Sequence, residues 1–498
     1  MSIQLGLPKG ILPTPEIAMS AGCVSQLVRV QPNNVNTIVS SAQALPSAAN
    51  SWVNGNLVFP SQLVQFSVPV GQGKHVWIDT DKSSIAFRVN YAVTTAGTSN
   101  TAATANLQDA ASSWFNRIVH IGPNGQTIDD VVNLHISEHI DHLLNYNTSD
   151  RDVFGAQFGF LAEQKQTANI NLTQGHSIDS FAGTALTATG NCYYSYEFPL
   201  PSALLGKYAN GFFPAGSVNK LDVQMYTNSQ VPVTIYTGTA AAGASTPAVT
   251  FTIDNISLNL WYLTLDNESA RMLGSPKMHY LHGITSRTAN SVIPAGTSGY
   301  INTLIGLRGK SCRQLFTRFT DTGAVVAGAT ATAFSANGVF DSKIPLASQM
   351  NYLLQGKDRY PQFPHNTQIL PSSVLNRTLM SSEKFDSWEQ RSSFIPSQFF
   401  NYIIGTAPTA ANGYDQNLIN AGSATVVNNL CTFLFGEDLR KAHNSEVLDG
   451  YDLTVTANHF LELNLIYAPT NTQSVFFTGR FDIIFEIDME QGTINYRM

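Results

Sequence analysis

The chain has 498 residues, 43% of them hydrophobic, a length that outgrows the roughly 250–300 residues a single core serves, so two domains are expected. Charged residues make up only 12%, against about 25% in an average soluble protein, and the net charge of −7 comes without a Lys/Arg cluster or basic tail, which argues against direct binding of nucleic acid. No stretch approaches the roughly 18 apolar residues of a membrane-spanning helix, and the first residues lack a charged segment followed by an apolar run, so neither insertion nor secretion is expected.

Residues 1–57 carry only Lys9, Glu16 and Arg29 as charges, contain five prolines and show no sustained periodicity, which predicts an extended arm. From Val58 the texture alternates. Leu63-Val64-Gln65-Phe66-Ser67-Val68, Val76-Trp77-Ile78 and Ile85-Ala86-Phe87-Arg88-Val89-Asn90-Tyr91 place apolar, β-branched and aromatic residues at period two, the mark of half-buried strands. One helix is predicted over 128–146, where Val131, Leu134, Ile136, Ile140, Leu143 and Leu144 populate one broad face. Four stretches rich in Ala, Gly, Thr and Ser, at 94–105, 237–248, 323–333 and 406–425, have little to bury and are expected as surface loops.

The two halves rhyme. Tyr193 to Phe198, Leu221 to Tyr226 and Thr250 to Ile256 correspond to Leu430 to Phe435, Leu461 to Tyr467 and Phe476 to Ile487; the offsets are 435 − 198 = 237 and 461 − 221 = 240. Such self-similarity at half the chain length predicts a duplicated β-domain, with an arm over 1–57, one sandwich over 58–275 and a second over 276–498. The surplus of uncharged polar residues suits faces that copies of the same molecule will cover, where an unpaired charge would be costly.

Few residues invite chemistry. His135-Ile136-Ser137-Glu138-His139 spells H-x-x-E-H with His142 one turn on, the pattern of an inverted zinc-protease motif, but the chain offers no second helix to supply a further ligand, so packing histidines are expected. His279 and His282 have few acids or thiols nearby and are expected to be structural. Gly71-Gln72-Gly73-Lys74 lacks the first glycine and the Ser/Thr of a phosphate loop. Sequons begin at Asn147, Asn171, Asn255, Asn267 and Asn376, without a signal peptide to expose them to glycosylation. Cys23, Cys192, Cys312 and Cys431 are dispersed and read as reduced, buried thiols. Trp52, Trp77, Trp114, Trp261 and Trp388 could stack sugars, and between sheets they more often fill space. No catalytic, cofactor-binding or metal-binding residue is nominated, and no cofactor is expected.

Several segments are similar to those of a known family. They are Asp79 to Ser84, then Trp114 to Val119 leading to Gly122-Pro123-Asn124-Gly125 and a helix, its exit from His139 to Asp152, and the proline-marked turns at Phe198-Pro199-Leu200-Pro201 and Phe213-Pro214. The second half adds Leu353 to Pro361, Phe435 to Leu439 and Phe481 to Ile487. In order and spacing, over about 57–490, they resemble the double jelly-roll major capsid proteins of tailless icosahedral double-stranded DNA viruses, of the polinton-like virus, virophage and adintovirus type. The resemblance implies an all-β fold of two tandem eight-stranded jelly-roll β-sandwiches with short connecting helices, and a structural subunit that is not an enzyme. It further implies a homotrimer of pseudo-hexagonal outline that meets neighbouring capsomers and minor and penton capsid proteins in the virion shell. The protein would be made in the host-cell interior, and contact with an inner membrane is left open. A tandem jelly-roll carbohydrate-binding protein and a minor or vertex capsid protein are the alternatives.

Overall fold

The structure is a computed structural model that describes residues 23–41, 43–44, 51–54, 60–93, 103–107, 110–145, 157–158, 191–229, 233–237, 248–273, 277–321, 347–358, 434–440, 450–454, 459–465, 468–469 and 472–498. Eight principal strands precede residue 265: β1 (Val24–Val30), β2 (Leu63–Ser67), β3 (Val76–Val93), β4 (Phe115–Ile121), β5 (Thr127–Val132), β6 (Asn191–Pro199), β7 (Asp222–Thr227) and β8 (Ala248–Thr264). They form two antiparallel sheets in the orders β1-β8-β3-β6 and β2-β7-β4-β5. Eight more follow: β9 (Met278–Ile293), β10 (Gly299–Leu304), β11 (Cys312–Asp321), β12 (Ala347–Leu354), β13 (Lys357–Asp358), β14 (Phe435–Asp438), β15 (His459–Leu465) and β16 (Gln473–Asp488). Their sheets run β9-β16-β11-β14 and β10-β15-β12-β13. Subtracting eight from each number reproduces the first pair of sheets strand for strand.

Interleaving strands from the two ends of a segment in this way, 1-8-3-6 facing 2-7-4-5, is the order of a jelly roll. The fold is therefore all-β, two eight-stranded jelly-roll sandwiches in tandem, with short helices that include α1 (Leu134–Asn145) and α2 (Asn267–Leu273).

Period two explains the faces. On β3, Ile85, Phe87 and Val89 are buried, whereas Ser84, Ala86 and Arg88 are only half-buried. On β15, Leu461, Leu463 and Leu465 alternate in the same way with half-covered Glu462 and Asn464. Aromatic rings fill the first sandwich, Phe87 meeting Phe115 edge-to-face at 5.4 Å and Trp114 meeting Phe251 at 5.9 Å. In the second, Tyr352 stacks on Phe435 at 4.6 Å, and its hydroxyl is satisfied by Thr317 Oγ1 at 2.7 Å.

Two sequence expectations are corrected. Residues 24–30, expected within an extended arm over 1–57, are β1, paired with β8 along their whole length from Val24↔Thr264 to Val30↔Leu258. Of this edge strand only Val30 is buried, so no apolar alternation announces it; the backbone ladder and a single inward face hold it in place. Thr37–Val39 and Gln43–Ala44 also pair with β8, and Ser51–Asn54 pairs with Val233–Thr237. The helix expected over 128–146 is split: residues 128–132 belong to β5, and α1 starts only after Asn133, which at φ 56° turns the chain out of the strand. Apart from 103–105, 237 and 248, the four stretches expected as loops lie outside the described residues.

The cores interlock. The first sandwich's apolar cluster takes in Ile483, Phe485 and Ile487 of β16, then Met489 and Ile494. The short strand Ile494–Arg497 folds back on β16.

Candidate functional site

Helix α1 carries five ionisable side chains, His135, Glu138, His139, Asp141 and His142, and every one is buried. Charge is buried only where it is matched, so the partners decide what this helix is for. Glu138 accepts from Lys207 Nζ at 2.8 Å and from Tyr208 Oη at 2.7 Å. Asp141 accepts from Lys207 Nζ at 2.9 Å and, on its other oxygen, from Arg480 Nη2 at 3.0 Å. All four carboxylate oxygens are thus engaged.

Burial alone would raise the Asp141 carboxyl, but Lys207 and Arg480 together hold it well below the usual carboxylate range. Burial pushes the Tyr208 hydroxyl well up, and Asp141 and Glu138 push it further, so it stays protonated and donates. Arg480 also donates to the Ser137 carbonyl at 3.4 Å and lies over the rings of Tyr208 and Phe316 at 5.9 and 5.7 Å.

Arg480 belongs to β16, where Val475, Phe477 and Phe481 point into the second core, so its side chain leaves from the outer face of that sheet. The layer therefore joins the two sandwiches: α1 and β5 of the first lie against β9 and the outer face of β16 of the second. Around the ion pairs, Ser137 bonds Ser286 at 2.6 Å, and Asn133 donates to Thr288 at 3.2 Å. Asp129 accepts from Thr285 at 2.7 Å and Arg287 at 3.3 Å, while Arg287 also reaches the Asp130 carbonyl. At Gly283 of β9 a Cβ would stand 2.2 Å from the Ala203 carbonyl oxygen, so the backbones meet where only glycine fits. Gln126 Nε2 donates to the Ile494 carbonyl at 2.6 Å.

The arrangement is a weld. Its acids and bases neutralise one another, which resists shear between the sandwiches and leaves no carboxylate oxygen of Glu138 or Asp141 for proton transfer or a metal. Among the described residues no three His, Cys, Asp or Glu side chains come together as ligands.

The other sequence candidates are scattered. His279 packs edge-on against Trp77 at 5.2 Å and bonds the Phe212 carbonyl through Nε2, and burial pushes its pKa down to about 4. His282 Nε2 lies 2.9 Å from Asp482, which Ser311 also binds. The amides of Gly71 and Gly73 are spent on the carbonyls of Ala215 and Gly216, so neither glycine amide is available to a phosphate. Trp77 and Trp114 are core residues; Trp261 is half-buried beneath Lys82; Trp388 and the side chain of Trp52 lie outside the described residues. Cys23 is half-buried, and burial pushes the Cys312 thiol up; the thiols of Cys192 and Cys431 are outside the description. Asn255 is exposed at φ 51° and Asn267 opens α2, whereas Asn147, Asn171 and Asn376 are not described.

Sequence reasoning missed Lys207, Tyr208 and Arg480. Lys207 lies 66 residues and Arg480 339 residues from Asp141, so no local spacing links them.

No family model matches this chain, and no curated protein matches it. Solved structures similar to it include a chain of the Sputnik virophage, at 13% identity and TM-score 0.49, over 95% of this chain and 88% of that one. Vp54 of the virus PBCV-1, fitted into a reconstruction of Sputnik, is similar at 11% identity and TM-score 0.48, over 95% and 97%. The mavirus major capsid protein is similar at 11% identity and TM-score 0.41, over 99% and 95%. The strand order described above stands independently of these likenesses.

Proposed function

We propose that this chain is the major capsid protein of a tailless icosahedral virus, a structural subunit that forms pseudo-hexagonal trimers and tiles the viral shell. The observation that carries the reading is the asymmetry of the weld. The α1–β5 side of one sandwich sits on the β9–β16 side of the next, a head-to-tail contact between two domains of one topology. A head-to-tail contact leaves one unmatched face at each end of the pair, and repeating it between chains gives a ring wherever the rotation closes. Three chains of two sandwiches make a ring of six, which imitates a hexagon. The ordered segments that resemble double jelly-roll capsid proteins support the same reading.

The protein works by shape. Rings meet through uncharged polar surface, in contacts that are individually shallow and add up by multivalency. Its partners are itself, neighbouring capsomers and the minor and penton proteins of the shell, and its place is the virion after synthesis inside the host cell. Native mass spectrometry and electron microscopy of the purified chain test this. Trimers of hexagonal outline are the expected result, and a strict monomer at high concentration would sink the reading.

A further inference from the structure

Apart from the ion pairs of α1, Ser202, His120 and Asp129 stand in the order of a hydrolase relay. Ser202 lies in the connection from β6 to β7. Its Oγ is 2.9 Å from His120 Nε2 and accepts the N–H groups of Leu204 and Leu205. With its acceptor positions filled, the hydroxyl sends its proton to Nε2, and a neutral ring then carries its hydrogen on Nδ1. Burial favours that neutral ring by pushing the His120 pKa down. His120 of β4 is paired directly with Asp129 of β5. Catalysis needs a path to substrate, and these side chains leave none: Ser202 and His120 are 0% exposed and Asp129 is 1% exposed.

Two atoms of the relay are unmatched. His120 Nδ1 and Asp129 Oδ2 are buried, and neither has a hydrogen-bond partner among the described residues. Asp129 Oδ1, by contrast, accepts from Thr285 at 2.7 Å and from Arg287 at 3.3 Å, both on β9 of the second sandwich. Held in that pose, the carboxylate does not turn Oδ2 onto the ring. Directly opposed residues of an antiparallel pair carry their side chains on one face, with Cβ atoms about 4.5–5.5 Å apart, so a donor and an acceptor are buried side by side without bonding each other. Folded proteins match such groups with protein or with water. A water molecule suits both, because it accepts from Nδ1–H and donates to Oδ2. A metal ion does not: Nδ1 carries the hydrogen, and among the described residues no three ligands come together. Burial leaves no way in for an organic ligand.

We infer that one water molecule is bound between His120 Nδ1 and Asp129 Oδ2 as a structural part of the fold. Hydrogen bonds then run unbroken from the Leu204 and Leu205 amides through Ser202 and His120 to the water, and on through Asp129 to Thr285 and Arg287 of the second sandwich. The site is independent of the capsid reading.

A high-resolution crystal structure of the full chain is the direct test. The expected result is an ordered water about 2.7–3.2 Å from both atoms. A direct bond between His120 and Asp129, or two atoms with nothing between them, overturns the inference. Oxygen-17 relaxation dispersion, which counts long-lived bound waters, gives a solution readout with the variant Asp129→Glu. The added methylene carries the carboxylate into the place of the water, so the variant should lose one long-lived water while its circular dichroism stays that of the parent. An unchanged count in a folded variant overturns the inference; if the variant misfolds, the crystal structure decides. A fluorophosphonate probe should leave Ser202 unlabelled. Labelling would show that larger molecules reach the relay and would overturn its assignment as a water site.

Discussion

Ser202 Oγ lies 2.9 Å from His120 Nε2 and at the same time accepts the backbone N–H groups of Leu204 and Leu205, at 3.1 and 2.9 Å. With two donors already pointing at it, the hydroxyl sends its own proton to Nε2, which assigns the imidazole hydrogen to Nδ1, on the ring of a residue paired across β4 and β5 with Asp129. Burial pushes the His120 pKa down, so the ring stays neutral as this arrangement requires. Replacing His120 by Phe strands the buried hydroxyl. A loss of about 2 kcal/mol in urea denaturation is expected, and Ser202→Ala in the same background should lower stability further, because it also strands the N–H groups of Leu204 and Leu205.

His279 makes stability depend on acid. Its pKa is held at about 4 in the folded chain, against an ordinary value of 6.5, first by burial, with the bond to the Phe212 carbonyl opposing. As pH falls below about 6.5 the unfolded chain takes up the proton first, so stability drains away until the folded-state value is reached. The expected loss between pH 6.5 and 4 is about 3 kcal/mol. His279→Phe should flatten that limb of the stability curve, and an unaltered limb would show that other groups produce it.

Arg480 and Asp141 form a cross-sandwich pair, both buried. Arg480→Met removes one of the two cations that serve Asp141 and should cost about 3 kcal/mol. Asp141→Leu should cost less when added to that variant than alone. A double-mutant cycle by chemical denaturation measures the difference, and additivity within about 0.5 kcal/mol would mean that the pair contributes nothing specific.

Gly283→Ala places a methyl group 2.2 Å from the Ala203 carbonyl oxygen, where neither backbone can yield without parting the sandwiches. A destabilisation of about 2–3 kcal/mol is expected. Hydrogen exchange should rise at the Ala209–Asn210 pairing with β9 before it rises in either core, and uniform acceleration would contradict this local origin.

Chelation offers a simple check on the H-x-x-E-H helix. Because Lys207 and Tyr208 occupy both oxygens of Glu138, EDTA should leave the melting midpoint unchanged. Stoichiometric zinc in elemental analysis, or a lowered midpoint, would overturn this.

Strands whose two faces differ were legible in the sequence. Leu461, Leu463 and Leu465 alternate plainly; of the paired segments, Tyr193 to Phe198 falls on β6, and Phe435, the last residue of Leu430 to Phe435, opens β14, the sixth strand of the second sandwich, while 430–433 lie outside the described residues. Strand β1 was not legible, because Val24-Ser25-Gln26-Leu27-Val28-Arg29-Val30 lies at a sheet edge with most of its side chains outside the core. The start of α1 was blurred for another reason: Ile128 and Val131 satisfy a helical stripe and a strand equally well, and only the left-handed Asn133 separates them. The charged layer escaped altogether. The histidines of α1 suggested metal chemistry through short spacing, while the residues that define the layer come from three distant segments that meet only after folding.

The apolar residues that β16 lends to the first core set a schedule for the ribosome. Ile483 follows Leu263, one of the last first-sandwich strand residues in that core, by 483 − 263 = 220 residues. At about 5–20 residues per second that interval lasts roughly 10–45 s. Throughout it the nascent first sandwich exposes the apolar patch that Ile483, Phe485, Ile487 and Ile494 will cover. The protein is thus most vulnerable to wrong partners before its own synthesis is complete, when identical chains on neighbouring ribosomes present the same unfilled patch.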